Sequence, residues 1–560
     1  MKTYEVLAHA FRAEGVEHAF GIIGDATLQW YAAMAGSGVQ MIDTRQETSA
    51  VAMAEGYAQV RRDVGVASVT SGPGLAQAAL ALANAARAGA PTVIFAGDSP
   101  TTAIEGPQLL DQRRFVEACG AVFVALRSPA TAADDVRRAF AIARARRTAV
   151  VLNAPMDLQA AECPVDPDDL PKGPTVVDVL PSAPSVAAIE ELLRLVEQSR
   201  RPIVLAGRGA IFAGAQRALL GLAERIGAAT TTTLLAKGYL DDDPFCLGVV
   251  GPLASAPADE LFAEADLVLA FGASLDRFTI AGRGSTPVFP NATLVAINHD
   301  GPNGSPNAYV HHAVVGDVGC VAEVLTARIE DVGFRNEGFR TEEYQARLLG
   351  AARPGTECAP GFLHPARVME ILEGHLSRDR HRVVVGSGHF WSWPIMYLRQ
   401  PVDGRFLFAH YFGSIGLGLP VGIGAAIADP SSRVVVVEGD GSIMETIQEL
   451  DTASRYGIAL TVVVMNDQQL GAERFKGELL RLDPKLMHVP TPRFDDVARA
   501  FGGDGALVTD DQGMDAALTR AAAAEGPFVL DARIDPEIVC DMYRKLHYGM
   551  ANVAPHQRLP

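Results

Sequence analysis

Oxygen-bearing side chains follow two successive apolar runs in the last third of the chain. The run Val434–Val437 leads into Gly439-Asp440-Gly441-Ser442, and the run Ala459–Met465 leads into Asn466. Carboxylate and amide oxygens suit a hard octahedral cation that keeps phosphate oxygens among its ligands, and glycines let backbone amides approach closely. The pattern therefore predicts a cradle for a magnesium-bound diphosphate, although Asp-Gly by itself also marks ordinary turns.

The stretch between the two runs is predicted to form a helix that returns the chain to the same edge of a sheet. Ser442 followed by Glu445 matches a capping box, in which the hydroxyl caps the start of the helix. Ile447 and Leu450 continue an apolar helical spacing, and Gly457 is placed to end the helix in a left-handed conformation. The Asp and Asn side chains would then lie side by side at the ends of neighbouring strands.

Similar helix-then-strand units recur along the whole chain. Thr3 and Ser185 are placed to cap helices and Pro365 to open one, each ahead of an apolar strand. The stretches Cys163–Pro184 and Arg335–His364 contain the Pro, Gly and charged residues that are typical of linkers. The predicted fold class is α/β, with three doubly wound parallel-sheet domains at residues 1–165, 185–330 and 363–545 and a tail at 546–560.

Composition narrows the classes of function. The chain has 560 residues, of which 48% are hydrophobic and 20% charged, and its net charge is −18. That charge argues against nonspecific binding to nucleic acid or to anionic membranes. The six cysteines form no Cys-x-x-Cys pair, which indicates neither a zinc site nor a disulfide framework and favours a reducing compartment. The segment Met1–Glu5 lacks the features of a signal peptide and no apolar stretch reaches membrane-spanning length, so we expect a cytoplasmic protein.

With these motifs, the chain resembles the thiamine-diphosphate-dependent enzymes of the acetolactate synthase, pyruvate oxidase and benzaldehyde lyase group over nearly its whole length. The resemblance implies that the domains are, in order, pyrimidine-binding, central and diphosphate-binding. It implies thiamine diphosphate and Mg²⁺ as cofactors, with Asp440, Asn466 and the main-chain carbonyl of Gln468 as metal ligands. Where the family usually has Asn-Asn, this chain has Asn466-Asp467, which adds a negative charge close to the metal.

The resemblance also assigns contacts with the cofactor. Ile415, in Gly413-Ser414-Ile415-Gly416, matches the apolar wedge that bends the cofactor, and the Gly413 carbonyl matches the acceptor for its amino group. His389 is a candidate for binding phosphate or acting on substrate, although a structural histidine fits the sequence equally well. The cofactor-binding residues implied in this way are Gly388, His389, Gly413, Ile415, Gly439, Asp440, Gly441, Ser442, Asn466, Gln468 and Gly471.

Glu47 is the candidate for activating the cofactor. It stands between the apolar pair Met41-Ile42 and a helix-like segment, in Arg45-Gln46-Glu47. In the family the Glu of such a segment bonds to a ring nitrogen of the aminopyrimidine and stabilises its imino tautomer, which requires a partly buried carboxylate that can share a proton. The alternative is an exposed acid that favours the dipole at a helix start. Many relatives have His where Gln46 stands, so this chain lacks one proton donor.

Two glutamines of the first domain are candidates for contact with substrate. Gln77 follows Thr70-Ser71-Gly72-Pro73-Gly74, a turn after a predicted strand, at a position where relatives often carry Asn. Such turns collect ligands at the carboxyl edge of open α/β sheets, but a purely structural turn is the alternative. Gln108 with Asp111 is similar to the family's Gln-Glu-x-Asp, and it would form hydrogen bonds to substrate unless it is only a surface loop residue.

The assembled parts imply a lyase or transferase, a decarboxylase or carboligase that acts on a 2-oxo acid through a C2 carbanion and an enamine. An aldehyde or a second 2-oxo acid would be the acceptor. Lys476 stands where acetolactate synthases carry Trp, and Gly471-Ala472-Glu473-Arg474 is similar to the Gly-Ala-Glu-Lys of sulfoacetaldehyde acetyltransferases. Arg474 and Lys476 therefore indicate an anionic substrate, although basic residues on a loop are often simply solvated.

Three alternatives remain at this stage. The turns Gly207–Ala210 and Gly272–Arg277 correspond to turns that hold FAD in some relatives, but Ser274 stands where many flavin-binding members have Arg, so FAD is not favoured. The alternatives are a flavin-dependent 2-oxo acid oxidase, an acetyltransferase acting on an anionic aldehyde such as sulfoacetaldehyde, and a catalytically inactive cofactor-binding protein. The family also places each active site between the first domain of one subunit and the third of another, which implies a homodimer or homotetramer.

Overall fold

Three six-stranded parallel β-sheets organise the computed structural model. This confirms the predicted fold class of three doubly wound α/β domains. The structure describes residues 1–166, 169–170, 181–280, 287–300, 310–349, 356–377, 379–399, 405–540 and 543. The tail predicted at 546–560 lies outside these residues. No helix within the described ranges has both the length and the apolar character needed to cross a bilayer.

The first sheet has the strand order β2-β1-β3-β4-β6-β5, and its strands pair in parallel. Its strands are β1 His18–Gly21, β2 Gln40–Asp43, β3 Gly65–Val69, β4 Thr92–Asp98, β5 Val122–Ala125 and β6 Ala149–Pro155. Its helices are α1 Thr3–Ala13, α2 Leu28–Gly36, α3 Glu47–Arg61, α4 Pro73–Gln77, α5 Ala79–Ala88, α6 Gln112–Ala118, α7 Ala132–Arg146 and α8 Met156–Ala160. Helices cover both faces, and the inner strands are therefore continuous apolar runs.

The central sheet has the order β12-β11-β10-β7-β8-β9. Its strands are β7 Pro202–Ala206, β8 Ala229–Thr232, β9 Cys246–Val249, β10 Leu267–Phe271, β11 Thr293–Asn298 and β12 His312–Val315. Its helices are α9 Val186–Gln198, α10 Arg208–Phe212, α11 Gln216–Ile226, α12 Ala256–Glu264, α13 Arg277–Ile280, α14 Val318–Asp331 and α15 Glu342–Leu349. Counted within the domain, the order is 3-2-1-4-5-6, which is the strand order of dinucleotide-binding folds.

The third sheet has the order β14-β13-β15-β16-β18-β17. Its strands are β13 His381–Val385, β14 Phe406–Phe408, β15 Arg433–Gly439, β16 Leu460–Asn466, β17 Asp504–Val508 and β18 Phe528–Arg533. Its helices are α16 Pro365–His375, α17 Ser392–Tyr397, α18 Gly418–Ala428, α19 Asp440–Ile443, α20 Glu449–Arg455, α21 Gly471–Leu479, α22 Phe494–Ala500 and α23 Asp511–Ala523. Counted within each domain, the first and third sheets share the order 2-1-3-4-6-5.

The predicted helix starts are confirmed only in part. Ser185 caps α9 by accepting a hydrogen bond from the Ala188 N–H, whereas Thr3 is already helical and Lys2 occupies the cap position of α1. The predicted capping box at Ser442 is wrong, because α19 begins two residues earlier, at Asp440. The Ser442 hydroxyl instead accepts a hydrogen bond from the Gly416 N–H at 2.9 Å. A tertiary contact thus takes the hydroxyl that the local sequence assigned to the helix start.

The first and third domains pack directly against each other through α3 and α18. Side chains from both domains form one continuous buried cluster that includes these two helices. A Cβ atom on Gly56 would overlap the Val421 carbonyl, and a Cβ atom on Gly424 would overlap the Met53 carbonyl. These contacts show that the two helices run antiparallel with their backbones touching. Glycine is required at both crossing points because any larger side chain would separate the helices.

Replacing Gly424 by Ala is expected to destabilise the protein by about 3 kcal/mol, since an added methyl group has no space in a packed helix crossing. Gly374→Ala is the matched control, because Gly374 is also helical and a Cβ atom there would meet no atom within 4 Å. The control should gain up to about 1 kcal/mol from helix propensity. Urea unfolding of both variants measures the difference, and equal stabilities would show that the crossing tolerates a methyl group.

Candidate functional site

The carboxyl edge of the third sheet gathers three of the predicted segments. Gly388 follows β13, Gly439 ends β15, and Asn466 ends β16. Because β13 and β15 are hydrogen-bonded neighbours separated by a change in strand order, their ends lie at a topological switch point. Ligands of open α/β sheets bind in the crevice at such points. This edge is therefore the candidate binding site of the third domain.

Asp440 is a buried carboxylate without a full set of partners. It is only 3% exposed, and its Oδ2 atom has no hydrogen-bond partner among the described residues. Burial and the negative charge of Asp467 raise the pKa of Asp440, and burial also raises the pKa of Asp467. Two buried carboxylates in this arrangement are costly unless a cation or a proton compensates them. The pair therefore fits a site for a cation.

Asn466 and Gln468 are the residues whose oxygens are predicted to complete that site, and the Gln468 carbonyl accepts a hydrogen bond from the Val489 N–H at 3.0 Å. The fully buried Asn466 amide donates from Nδ2 to Asp531 Oδ1 at 2.8 Å, which fixes its orientation and turns Oδ1 away from Asp531. That Oδ1 accepts a hydrogen bond from the Gln468 N–H at 3.2 Å. Gln468 has a φ of 56°, a left-handed conformation that is uncommon for residues other than glycine. Such strain often occurs in ligand clamps.

No group of three or more His, Cys, Asp or Glu side chains in the described parts of the chain is arranged to hold a metal ion. A cation at this edge would therefore depend on amide and main-chain oxygens as well as on Asp440. Oxygen-only sets of this kind suit Mg²⁺, which keeps water or phosphate oxygens as further ligands. The residues present thus fit a diphosphate-bound cation.

The segment Gly413–Gly416 is joined to the Asp440 turn by two hydrogen bonds. The Gly416 N–H donates to Ser442 Oγ at 2.9 Å, and the Thr446 hydroxyl donates to the Gly416 carbonyl at 2.7 Å. Gly413 and Gly416 have φ values of 75° and 87°, so the segment is a loop whose turns require glycine. Ile415 is half-buried within it. Two motifs that lie apart in the sequence therefore form one unit.

Glu438 belongs to the same site and was missed by the sequence analysis. It is fully buried, and a Cβ atom on Gly386 or Gly418 would overlap its carboxyl group. Its Oε2 accepts a hydrogen bond from the Gly439 N–H at 3.2 Å, and burial raises its pKa to about 7. Glu438 thus fills the space between the ends of β13 and β15 and the start of α18. A charged residue that ends the run of four valines was the available sequence signal.

His389 is enclosed behind Asp467. Its side chain is buried, its Nε2 lies 3.4 Å from Asp467 Oδ2, and its ring packs edge-on against Phe475. A Cβ atom on Gly471 would overlap the imidazole ring. Burial lowers the pKa of His389 to about 4, so the ring is neutral at physiological pH. This placement favours a supporting role beside the cation site, and the contact with substrate stays a prediction.

The two predicted basic residues lie on α21 in different surroundings. Arg474 donates to both carboxylate oxygens of Glu537, at 2.8 and 2.7 Å, and lines a cavity of about 590 Å³ that also borders Asn466 and Gln468. Lys476 is half-buried, and its Nζ lies 3.8 Å from Glu473. Arg474 is thus already neutralised by a carboxylate, whereas the charge of Lys476 has only a weak pairing.

The predicted residues of the first domain gather at the carboxyl edge of the first sheet. Glu47 is the first residue of α3 and is half-buried, and its Oε1 would lie 3.4 Å from a Cβ atom on Gly74. Gln108 is exposed, and its Oε1 accepts a hydrogen bond from Ser71 Oγ at 2.8 Å. Gln77 is also exposed at the end of α4, and its carbonyl accepts from the Thr48 hydroxyl. Asp111 caps α6 by accepting from the Arg114 N–H.

Within one chain, the sites of the first and third domains lie at opposite ends of the helix crossing. The antiparallel contacts place Gly56 near Val421, at the end of α18 that follows Ile415. Glu47 lies at the other end of the crossing, nine residues before Gly56 on α3, which is about 14 Å along the helix. Next to Glu47, the Arg45 N–H donates to Glu449 at 3.0 Å. A single chain therefore contains two separated half-sites.

The glycine turns of the central domain pack against each other. The Gly207 N–H donates to the Phe271 carbonyl at 2.8 Å, and the Gly209 N–H donates to the Gly272 carbonyl at 2.9 Å. These amides are therefore committed to protein partners, whereas a pyrophosphate at this turn would need free amides. The absence of FAD stays a prediction, and this geometry supports it.

Comparisons with known proteins identify one family domain in each of the three sheet domains. Models of the thiamine pyrophosphate enzymes match the chain three times: the N-terminal TPP binding domain at residues 1–115, the central domain at 189–327, and the C-terminal TPP binding domain at 385–532. The acetolactate synthase large subunit of Parasynechococcus marenigrum is 31% identical, over 94% of this chain and 86% of its own length. A probable acetolactate synthase large subunit of Methanocaldococcus jannaschii is 28% identical over 96% of this chain and 92% of its own. The acetolactate synthase isozyme 2 large subunit of Escherichia coli is 27% identical, over 94% and 95%.

Proposed function

We propose, from the premise that this chain belongs to the thiamine pyrophosphate enzyme family and to its acetolactate synthase group, that it is a Mg²⁺-requiring decarboxylase or carboligase acting on a 2-oxo acid. The observation that carries the proposal is the buried Asp440 carboxylate, whose Oδ2 atom has no partner among the described residues at the carboxyl edge of the third sheet. A cation held by this carboxylate would satisfy that atom and would attract a diphosphate.

The predicted site residues of the third domain would then have separate tasks. Asp440, Asn466 Oδ1 and the Gln468 carbonyl would hold Mg²⁺, and the amides of Gly441 and Ser442, at the start of α19, would face the diphosphate. Bound thiamine diphosphate supplies an electron sink for cleavage and formation of the carbon–carbon bond next to a carbonyl. Ile415 would pack against the rings of the cofactor, and the Gly413 carbonyl would accept a hydrogen bond from its amino group. Positioning of this kind reduces the entropy lost on reaching the reactive geometry.

Glu47 would hold the proton that switches the aminopyrimidine between its tautomers. A carboxylate can do this only where solvent is largely excluded and a ring nitrogen lies within hydrogen-bond reach. Its half-buried position above Gly74 is compatible with such access. Because Glu47 and Ile415 lie at opposite ends of the α3–α18 crossing, we propose that a second copy of the chain supplies the other half of each site.

Exposed apolar side chains around both half-sites support a homodimer or a dimer of dimers. In the first domain they flank the carboxyl edge, and in the third they flank the Gly413, Asp440 and Gly471 segments. They are Ile23, Leu28, Ile104 and Leu109 in the first domain, and Phe412, Met444 and Leu470 in the third, each at least 38% exposed. Apolar surface of this kind is typical of protein interfaces. Burying both sets together would also remove water from the site.

A screen of 2-oxo acids for CO₂ release tests the proposed function. The purified protein would be assayed with thiamine diphosphate and Mg²⁺, with and without aldehyde and 2-oxo acid acceptors. We expect release from at least one acid, and its dependence on acceptor separates a carboligase from a simple decarboxylase. An anionic aldehyde tested as sole substrate with inorganic phosphate covers the acetyltransferase alternative, which the basic residues of α21 favour. A protein that binds the cofactor but turns over none of these substrates would support the inactive alternative.

Lys476→Ala is expected to raise the KM for a dianionic 2-oxo acid by about tenfold with little change in kcat, because one charge-assisted hydrogen bond to substrate would be lost. Lys476 is preferred over Arg474 for this role, since two carboxylate oxygens of Glu537 already occupy Arg474. Arg481→Ala, which removes an exposed charge just beyond α21, is the control. If both variants leave KM within about twofold of wild type, the basic residues of this helix do not select an anionic substrate.

A further inference from the structure

A buried carboxylate in the middle of α3 is linked, through two amide side chains, to the loop of the third domain that precedes Gly413. Glu55 has no exposed surface and lies eight residues after Glu47 on the same helix. Asn84 Nδ2 donates to both of its oxygens, at 3.1 and 2.9 Å, and Gln59 Nε2 donates to Oε1 at 3.0 Å. Burial raises the pKa of Glu55 to about 8, whereas these amide donors favour its ionised form. An ionisable group is kept in the core here, and neither the fold nor the predicted mechanism accounts for it.

Two chains of hydrogen bonds lead from the third domain to this carboxylate. The Phe412 N–H donates to Asn84 Oδ1 at 2.9 Å, and Asn84 Nδ2 in turn donates to Glu55. The Tyr411 hydroxyl donates to Gln59 Oε1 at 3.4 Å, and Gln59 Nε2 in turn donates to Glu55. Both chains therefore start at the two residues that precede Gly413. Both run in the same donor-to-acceptor direction, so both require an acceptor at their end.

The orientation of Asn84 depends on Glu55. An amide presents one acceptor and two donors, and its two ends are nearly the same shape. The carboxylate binds the NH₂ end of Asn84 and thereby turns the oxygen towards the Phe412 N–H. The Arg87 guanidinium, 4.1 Å from the centre of the Phe412 ring, holds the same residue from its side-chain end. Without the carboxylate, the Asn84 amide would lose the constraint that fixes it.

We propose that Glu55 is a positioning residue, which orients Asn84 and Gln59 so that they fix Tyr411 and Phe412 and thereby place Ile415 and the Gly413 carbonyl. This inference rests on the proposed function, in which those two groups contact the cofactor. It gives α3 two tasks about 12 Å apart, since Glu47 at its start serves one site and Glu55 in its middle orders the loop of another. The helix would then tie the geometry of one active site to that of its neighbour.

Three variants test the direction of the hydrogen bonds. Glu55→Gln keeps the shape but sets an NH₂ group against the NH₂ end of Asn84. Asn84→Asp sets two carboxylates against each other. The double variant Glu55→Gln with Asn84→Asp restores both chains, because the new carboxylate at position 84 accepts from both the new amide at position 55 and the Phe412 N–H. Only the second contact of position 84, with Oε1 of position 55, is lost. The oxygen of that new amide still accepts from Gln59. Glu14→Gln is the matched control, since Glu14 is a buried acid of the same domain that pairs with Arg144.

The measurements are the thiamine diphosphate concentration for half-saturation, kcat and the thermal midpoint, at about pH 8.5, where Glu55 is largely ionised. Each single variant should raise the half-saturation concentration or lower kcat by about tenfold or more, with substrate KM unchanged. The double variant should recover to within about threefold of wild type. Glu14→Gln should lower only the thermal midpoint. Gln59→Leu interrupts one chain and leaves the other, so it should give a milder loss of a few-fold. It replaces a single variant that fails to fold.

The inference is overturned if the single variants behave like Glu14→Gln, or if the double variant is no better than the singles. The first outcome would mean that the core around Glu55 matters only for stability, and the second that the direction of the hydrogen bonds does not position the loop. A wild-type protein that does not bind thiamine diphosphate would instead contradict the proposed function, so the two failures are distinguishable.

Discussion

Replacing Glu47 by Gln is expected to lower the kcat for decarboxylation of a 2-oxo acid by about 10²- to 10⁴-fold while thiamine diphosphate still binds. The factor corresponds to the loss of one positioned acid–base group. Gln keeps the size and the hydrogen-bonding reach of Glu but cannot hold the proton that interconverts the tautomers of the cofactor. Steady-state CO₂ release gives kcat, and a fluorescence titration with the cofactor checks that binding is retained.

Glu117→Gln is the control for this experiment. Glu117 is an exposed acid on α6 of the same domain, and its pairing with Arg113 at 3.5 Å is weak. It should retain full activity. If Glu47→Gln keeps more than about a tenth of wild-type kcat, the activating carboxylate must be sought elsewhere. A Glu47→Gln protein that no longer binds the cofactor would point to a structural task for this residue at the start of α3.

Replacing Asp440 by Asn is expected to weaken Mg²⁺-dependent cofactor binding by about 100-fold or more and, at the same time, to stabilise the metal-free protein. The first effect follows from the loss of the charged metal ligand. The second follows because the metal-free protein contains a buried carboxylate beside Asp467, with an oxygen that has no partner among the described residues. Removing that charge should raise the free energy of unfolding by about 1 to 3 kcal/mol. Cofactor titration and urea unfolding with EDTA measure the two effects.

Asp504→Asn is the matched control, since Asp504 lies in the same domain, is half exposed and pairs with Arg520. It should leave cofactor binding unchanged and lower the stability of the metal-free protein by no more than about 1 kcal/mol, since it weakens exposed ion pairs with Arg520 and Arg499. The account of the cation site fails if Asp440→Asn binds the cofactor as tightly as wild type in Mg²⁺. A variant that loses both binding and stability would show that Asp440 supports the fold and not a ligand.

The alternation of helices and strands allowed the fold class and the positions of Asp440 and Asn466 to be predicted from the sequence. These features depend on local patterns, because apolar runs that end in Gly, Asp or Asn mark the carboxyl ends of buried strands. The contacts around Glu438 were not predictable in the same way. They depend on glycines 20 and 52 residues away in the chain, at Gly418 and Gly386, and only the folded sheet brings them together.

The failed capping box shows the same limit. The sequence offered Ser442 as a helix cap, but the folded chain uses its hydroxyl for the Gly416 amide, so a long-range contact overrides a local preference. The Glu55, Asn84 and Phe412 contacts are of this type too, because they join three segments of two domains. The separation of Glu47 from Ile415 follows from the antiparallel packing of α3 and α18, which no local pattern indicates.

Isothermal titration calorimetry of thiamine diphosphate into the purified protein tests most directly whether a diphosphate-bound cation lies at the carboxyl edge of the third sheet. We predict saturable binding of about one cofactor per chain in Mg²⁺, with the heat of binding abolished by EDTA and strongly reduced in Asp440→Asn. Absence of binding in Mg²⁺ would contradict the account, as would binding of equal affinity in EDTA and in the Asp440 variant.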